Sequence, residues 1–238
     1  MRSSALVVGV LISATIGIAG CNQDAAPQPE AASSQPPSSP QVNDASVEPD
    51  QQSLRFDDMF AAIVKATLPD ASEQDEQASW EALEKIAKFD ETQNEAFLRF
   101  LEGKLDDPSP FVRTEAGFNV ALIRCDLGMG QENEDLIPLF VDLLKQEDLF
   151  LRKSAMIDMD PVITSSHLGD KLRPLVPVLI EALNEPSTTY QAISYLGEMG
   201  ALSREAIPAI RMAAERDNDK TIDQASNEAI QEIEGDGQ

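Results

Sequence analysis

The chain is poor in the residues that usually carry chemistry. Its 238 residues include one histidine, His167, and two cysteines, Cys21 and Cys125. No HExxH or CxxC spacing occurs, so a zinc centre is not expected. A Ser-His-Asp triad would have to use His167, which lies in a polar loop beside Gly169. Aromatic residues make up only 5% of the chain, and no stretch alternates apolar and polar residues as a half-buried strand does. Straight-chain residues and alanine are abundant, which favours helix because they lose little rotamer freedom there. Bases are scarce as well: 18 stand against 42 acids, for a formal charge of −24. Such a surface repels nucleic acid and anionic lipid, so no nucleic-acid partner is expected. What is plentiful is apolar side chain, 42% of the whole, enough to build a core.

The first 20 residues form a unit of their own. Residues 1–4 carry one positive charge, and residues 5–19 are almost wholly apolar or small, which is the profile of a signal peptide. The run ends in Ile18, Ala19, Gly20 and Cys21. An aliphatic residue, two small ones and a cysteine in that place resemble the lipobox of bacterial lipoproteins. The resemblance implies diacylglycerol transfer to the Cys21 thiol and cleavage between Gly20 and Cys21, leaving the protein lipid-anchored in the cell envelope. Asn22, where an aspartate would favour retention in the inner membrane of enterobacteria, points to the outer membrane, on its periplasmic face or at the surface.

Residues 21–53 comprise the lipidated cysteine and a stretch dominated by Pro, Ser, Gln and Ala, with five acids and no base after Cys21. That composition buries too little apolar surface to offset ordering entropy, so a disordered tether is expected. With Cys21 lipidated, Cys125 has no partner for an internal disulfide, and the fold must stand on packing. Cys125 ends an apolar helical face made by Val112, Ala116, Val120 and Ile123, where a small, partly buried residue is expected rather than a nucleophile.

Residues 54–238 contain recurring landmarks. Leu136, Ile137 and Pro138 correspond to Leu175, Val176 and Pro177, and to Ala206, Ile207 and Pro208. Each triplet precedes an apolar helical face, and proline tolerates only the first helical turn, so each fixes a helix start. In the helix before or after, Val112, Arg113 and Ala116 match Leu151, Arg152 and Ala155; Thr188 with Ala192 and Thr221 with Ala225 keep the spacing but lose the arginine. Residues 172–200 read as one complete hairpin: Leu175, Val176, Leu179, Ile180 and Leu183 form one apolar face, Asn184, Glu185 and Pro186 break it, and Ala192, Leu196 and Met199 form the next. Ser109 with Pro110 and a capping box over Thr92 and Glu95 are expected helix starts, Ser203 a cap and Pro161 a helix stop.

From Asp107, Pro108, Phe111, Val112, Arg113 and Ala116 at one helix opening, and Tyr195, Leu196, Gly197 and Gly200 at another's end, the chain resembles the HEAT repeat family, in the variety named after phycobilisome lyases. The likeness covers residues 91–235, with a degenerate pair before it around residues 59–64 and 80–89. It implies an all-α fold, an α-α superhelix of the HEAT/armadillo solenoid kind with about five helical hairpins after the N-terminal tether. Gly128 to Asn133 and Thr164 to Asp170 would be longer edge turns.

One acidic stretch imitates a calcium loop. Asp217, Asp219, Thr221, Asp223 and Glu228 take positions one, three, five, seven and twelve of an EF-hand, but Ile222 stands where the turn needs glycine. The repeat register instead places Ile222, Ala225, Ala229 and Ile233 on one helical face, with Asp217 or Asp219 as its cap. The acids Asp106, Asp107, Glu147 and Asp148 fall in turns and are expected to cap and solvate. No catalytic, cofactor-binding or metal residue is therefore assigned, and the expected role is a non-enzymatic scaffold binding another cell-envelope protein. The alternatives are a bilin-lyase-like enzyme, implied only by the repeat family, and a structural or cation-buffering acidic protein. Cys21→Ser is expected to abolish incorporation of labelled palmitate and to release the protein from membranes; labelling that persists in this variant refutes the lipoprotein reading.

Overall fold

A computed structural model describes residues 51–165, 167–217 and 219–235. Residues 1–50, with the expected signal peptide, Cys21 and most of the expected tether, lie outside the described residues. Within them the chain is all-α and solenoid-like, with eleven α-helices and no strand. Helix α1 (Gln51–Ala66) already begins within the stretch that composition assigns to the tether.

The helices pack as consecutive antiparallel pairs. Helix α1 pairs with α2 (Glu73–Ile86), and α3 (Glu91–Glu102) with α4 (Pro110–Asp126). Next come α5 (Ile137–Leu144) with α6 (Leu149–Asp158), then the single turn α7 (Asp160–Ile163). Helices α8 (Val176–Ala182) and α9 (Thr189–Glu198), and α10 (Ile207–Asp217) and α11 (Lys220–Gly235), complete five pairs. Helix α4 touches α6, α6 touches α9 and α9 touches α11, so the second members form one layer; α5 against α8 belongs to the other. One continuous core runs through the array, from Phe60 and Leu101 through Val120, Phe140 and Leu179 to Ile210 and Ile233. The few aromatic rings are concentrated at one end. Phe56, Phe89, Phe97 and Phe100 lie 5.1–5.9 Å apart between ring centroids and join the first pair to the second.

Three seven-residue 3-10 helices, Gly130–Leu136, Gly169–Leu175 and Gly200–Ala206, each run directly into an α-helix whose second residue is proline. Of the expected edge turns, residues 128–133 are mostly 3-10 helix, whereas in residues 164–170 only Gly169 and Asp170 belong to one. Gly169 and Gly200 have φ of 44° and 55°, left-handed backbone that strains side-chain-bearing residues, which explains why glycine opens the second and third entries; before the first, the left-handed residue is Gly128, at 73°.

Several helix-start expectations are corrected. The box on α3 is formed by Asp90 and Gln93, not Thr92 and Glu95, because Asp90 accepts from the Gln93 N–H while the Gln93 side chain accepts from the Asp90 N–H. Ser203 caps nothing: it lies buried inside the third 3-10 helix without a hydrogen-bond partner for its hydroxyl. Helix α6 ends at Asp158, as the expected stop at Pro161 requires, and Pro161, with no N–H to continue α6, also sits in the first turn of α7 and so starts the next helix. Ser109 precedes Pro110 as expected but makes no side-chain cap; instead its N–H donates to Asp107.

The arginine of the Val-Arg landmark staples the turn inside its pair. Arg113 donates to the carbonyls of Asp107 and Pro108, and Arg152 to those of Gln146 and Glu147. Carbonyls of the connecting turn thereby gain a charged donor. At the equivalent place in the fourth pair stands Thr189, whose hydroxyl reaches the Leu183 and Glu185 carbonyls. Arg216, from the end of α10, reaches back to the same Leu183 carbonyl at 2.8 Å and to the Thr189 hydroxyl at 3.1 Å. A neighbouring pair thus supplies the lost guanidinium. Arg124 makes a second kind of link: only 4% exposed, it binds Glu102 on α3, Asp135 and the Glu132 carbonyl.

Small residues let the second helices approach. Ala116, Ala155 and Ala192 are fully buried on α4, α6 and α9. On α9, a Cβ at Gly197 would lie 3.0 Å from the Ala229 Cα and Cβ of α11. Gly197→Ala is therefore expected to destabilise the fold by about 1–3 kcal/mol through overpacking, read as a lower midpoint in urea unfolding; an unchanged midpoint would show that α9 and α11 can separate without cost.

Candidate functional site

The layer of second helices carries carboxylates that the sequence reading passed over. On α4 every residue from Thr114 to Arg124 is buried, because the helix is covered by α1, α3, α5, α6 and α7. Glu115 is among them, at 5% exposure. One turn later Asn119 donates its side-chain N–H to the Glu115 carbonyl at 2.8 Å and to the carboxylate at 3.5 Å. Burial pushes the Glu115 carboxyl up to about 7, against the Asn119 hydrogen bond. Across the α4–α6 junction stands Asp158, raised well above the usual range first by burial and then by the like charge of Glu115. Two acids therefore act on one another across that junction.

The row continues along the same layer. Asp160, in the first turn of α7, accepts a hydrogen bond from the Tyr195 hydroxyl of α9 at 3.4 Å. Tyr195 is itself fully buried, and burial followed by the Asp160 charge raises its phenol. Asp160 is raised by desolvation, as is Glu198 on α9, on which Asp160 and then Glu232 of α11 also act. Glu232 runs across the bare backbone of Gly197: a Cβ there would meet its carboxylate at 2.5 Å. Asp158 retains partial contact with water, and Asp160, Glu198 and Glu232 are exposed, although protein crowds the first three enough to raise them. Among the described residues none of the five acids has an ion pair within 4 Å.

Other features lie away from this row. A cleft of about 350 Å³ opens between the third and fourth pairs, with Leu144, Met156, Val178 and Ala182 as apolar lining and Arg152, Glu181 and Glu185 as charged lining. Cys125 and His167, separate in the sequence, both come close to Gly130. A Cβ at Gly130 would lie 3.6 Å from the Cys125 sulfur, 3.8 Å from His167 Cδ2 and 3.3 Å from the Ser165 hydroxyl. Cys125 is partly buried, and the Asn133 side chain donates toward its sulfur at 3.6 Å.

The calcium-loop imitation dissolves into helix. Asp217 pairs with Arg216, and Asp219 accepts from the N–H groups of Thr221 and Ile222 as the cap of α11. Along α11, Ile222 and Ala225 are half-buried, and Ala229 and Ile233 buried, on the face the repeat register marks out. Asp148 likewise caps α6 through the Leu151 N–H. Among the described residues no group of three His, Cys, Asp or Glu side chains is placed to hold a metal ion, and no helix is long and apolar enough to cross a membrane.

Burial of Glu115 has a measurable consequence. Its folded pKa is raised above the ordinary 4.5 to about 7, so the folded state holds a proton that the unfolded state has released. The stabilisation is complete below pH 4.5 and is lost as pH rises through about 7. In that window the unfolding free energy is expected to fall with a slope approaching about 1.4 kcal/mol per pH unit for each proton held. Glu115→Gln should flatten the slope in urea titrations taken at successive pH values; an unchanged slope places the titrating group elsewhere.

No protein-family model, curated protein or solved structure matches the chain.

Proposed function

We propose that this protein is a non-catalytic scaffold: a lipoprotein anchored through Cys21 whose HEAT-like helical array holds another protein of the cell envelope against its second-helix layer. The observation that carries this reading is the row Asp158, Asp160, Glu198 and Glu232, spread over α6, α7, α9 and α11 and without cationic partners among the described residues. An extended concave surface assembled from successive helix pairs suits a protein segment better than a small molecule. Its sign favours a partner segment carrying Lys or Arg, drawn by complementary charge.

The recurring 3-10 entries with their prolines and the stapling arginines support the HEAT-like reading of the array. The lipobox-like end of the apolar N-terminal run supports the anchor, and Asn22 supports an outer-membrane position. The scaffold reading is tested with a photocrosslinking residue placed in the native, anchored protein. Positions Gln191 and Glu198 in the acidic layer are expected to capture one reproducible protein species, with yield falling as salt rises. Position Leu139 on α5, in the other layer, is expected to capture none. Equal capture from both layers, or none from either, refutes it.

A further inference from the structure

Carboxylates occur at each of three successive junctions in the second-helix layer. Glu115, 5% exposed, lies on α4 where that helix packs against α6, which ends at Asp158; Asp160 of α7 accepts from Tyr195 of α9; and the Glu232 carboxylate of α11 lies over Gly197, the neighbour of Glu198 on α9. We propose that this row is a pH-responsive device: protonation lets the second helices close on one another, and loss of the protons drives the junctions apart.

The surrounding charges leave the row uncompensated. On α4, Arg113 is held by turn carbonyls and Arg124 by Glu102 and Asp135. On α6, Arg152 is held by turn carbonyls and Lys153 is exposed. Helices α5, α7, α8 and α9 contain no base, though α5 brings Asp142 and α8 Glu181. On α1, Lys65 pairs with Asp75 and Arg55 is exposed; on α3, Arg99 pairs with Glu95. The first 3-10 helix brings only acids, Glu132, Glu134 and Asp135, and the third brings Arg204 and Glu205, both exposed. From α10 and α11 come Arg211, Glu215, Lys220, Asp223, Glu228 and Glu234, all exposed, while Arg216 is bound to Asp217. The group acting on Glu115 from across its junction is therefore another acid. Ionising both places like charges in a crowded, poorly hydrated junction, where repulsion is screened least. The raised carboxyls of Glu115, Asp158, Asp160 and Glu198 agree with this arrangement. The device is a property of the array itself and does not depend on the scaffold reading.

The test compares the full chain at about pH 5 and about pH 8 by amide hydrogen exchange, corrected for the intrinsic pH dependence of exchange. Protection over α4, α6, α9 and α11 is expected to drop by about tenfold or more at the higher pH, with α1 and α2 unchanged. The double variant Glu115→Gln with Asp158→Asn should keep its protection over α4 and α6 at both pH values. Glu84→Gln with Glu215→Gln removes the same number of charges from exposed positions and should retain the parental response. Should the buried double variant not fold, Asp160→Asn with Glu198→Gln provides the same reading at the α7–α9 and α9–α11 junctions, and carboxyl carbon NMR of the parent follows Glu115 directly. The proposal is overturned if the loss of protection is uniform over all helices, if the Glu84 and Glu215 variant loses the response as fully as the row variant, or if Glu115 titrates in the ordinary carboxylate range.

Discussion

Close approach between successive second helices is the constraint on which the rest of this structure depends. A helical pair alone buries one side of its apolar surface and leaves the other to water, so each pair must lean on its neighbours. Ala116, Ala155 and Ala192 keep that contact tight, and Gly197 allows α11 nearer to α9 than any side chain would permit. The same closeness sets the electrostatics. Glu115 loses most of its water at the α4–α6 junction, and its charge is felt by Asp158 across the gap.

Most of the fold was legible because it is written in residues with strong local preferences. Pro138, Pro177 and Pro208 mark helix starts, and the alanine spacing marks the register, since only a small side chain fits between crossing helices. What composition could not indicate was the 3-10 geometry leading into each proline, because a seven-residue segment with one or two apolar positions reads equally well as a turn. The misplaced capping box has a similar origin. Thr92 with Glu95 and Asp90 with Gln93 satisfy the same spacing rule, and the hydrogen bonds of the folded chain choose between them. Pro161 punctuates a helix from the inside of its first turn or from beyond its end, and a pattern alone does not say which.

The acidic row was missed for a different reason. With 42 acids in the chain, any one of them reads as surface. Glu115 did carry a signal: it interrupts the stretch from Thr114 to Ile123, which otherwise contains no ionisable group, one turn before Asn119. Asp158, Asp160 and Glu198 carried none, since helix ends are ordinary places for acids, and only the stacking of α4, α6, α7, α9 and α11 brings them into line. Cys21 shows the reverse situation, with a lipobox-like sequence signal and no place among the described residues.

Arg216 gives the array a direction. Because the fourth pair borrows this guanidinium from the fifth, a chain cut short before α10 would leave the Leu183 carbonyl served by Thr189 alone. The second and third pairs carry their own staples and have no such debt. Shortening from the C-terminal end should therefore loosen the pair next inside the cut, so the last two pairs form one cooperative block and have to be inherited, exchanged or deleted together.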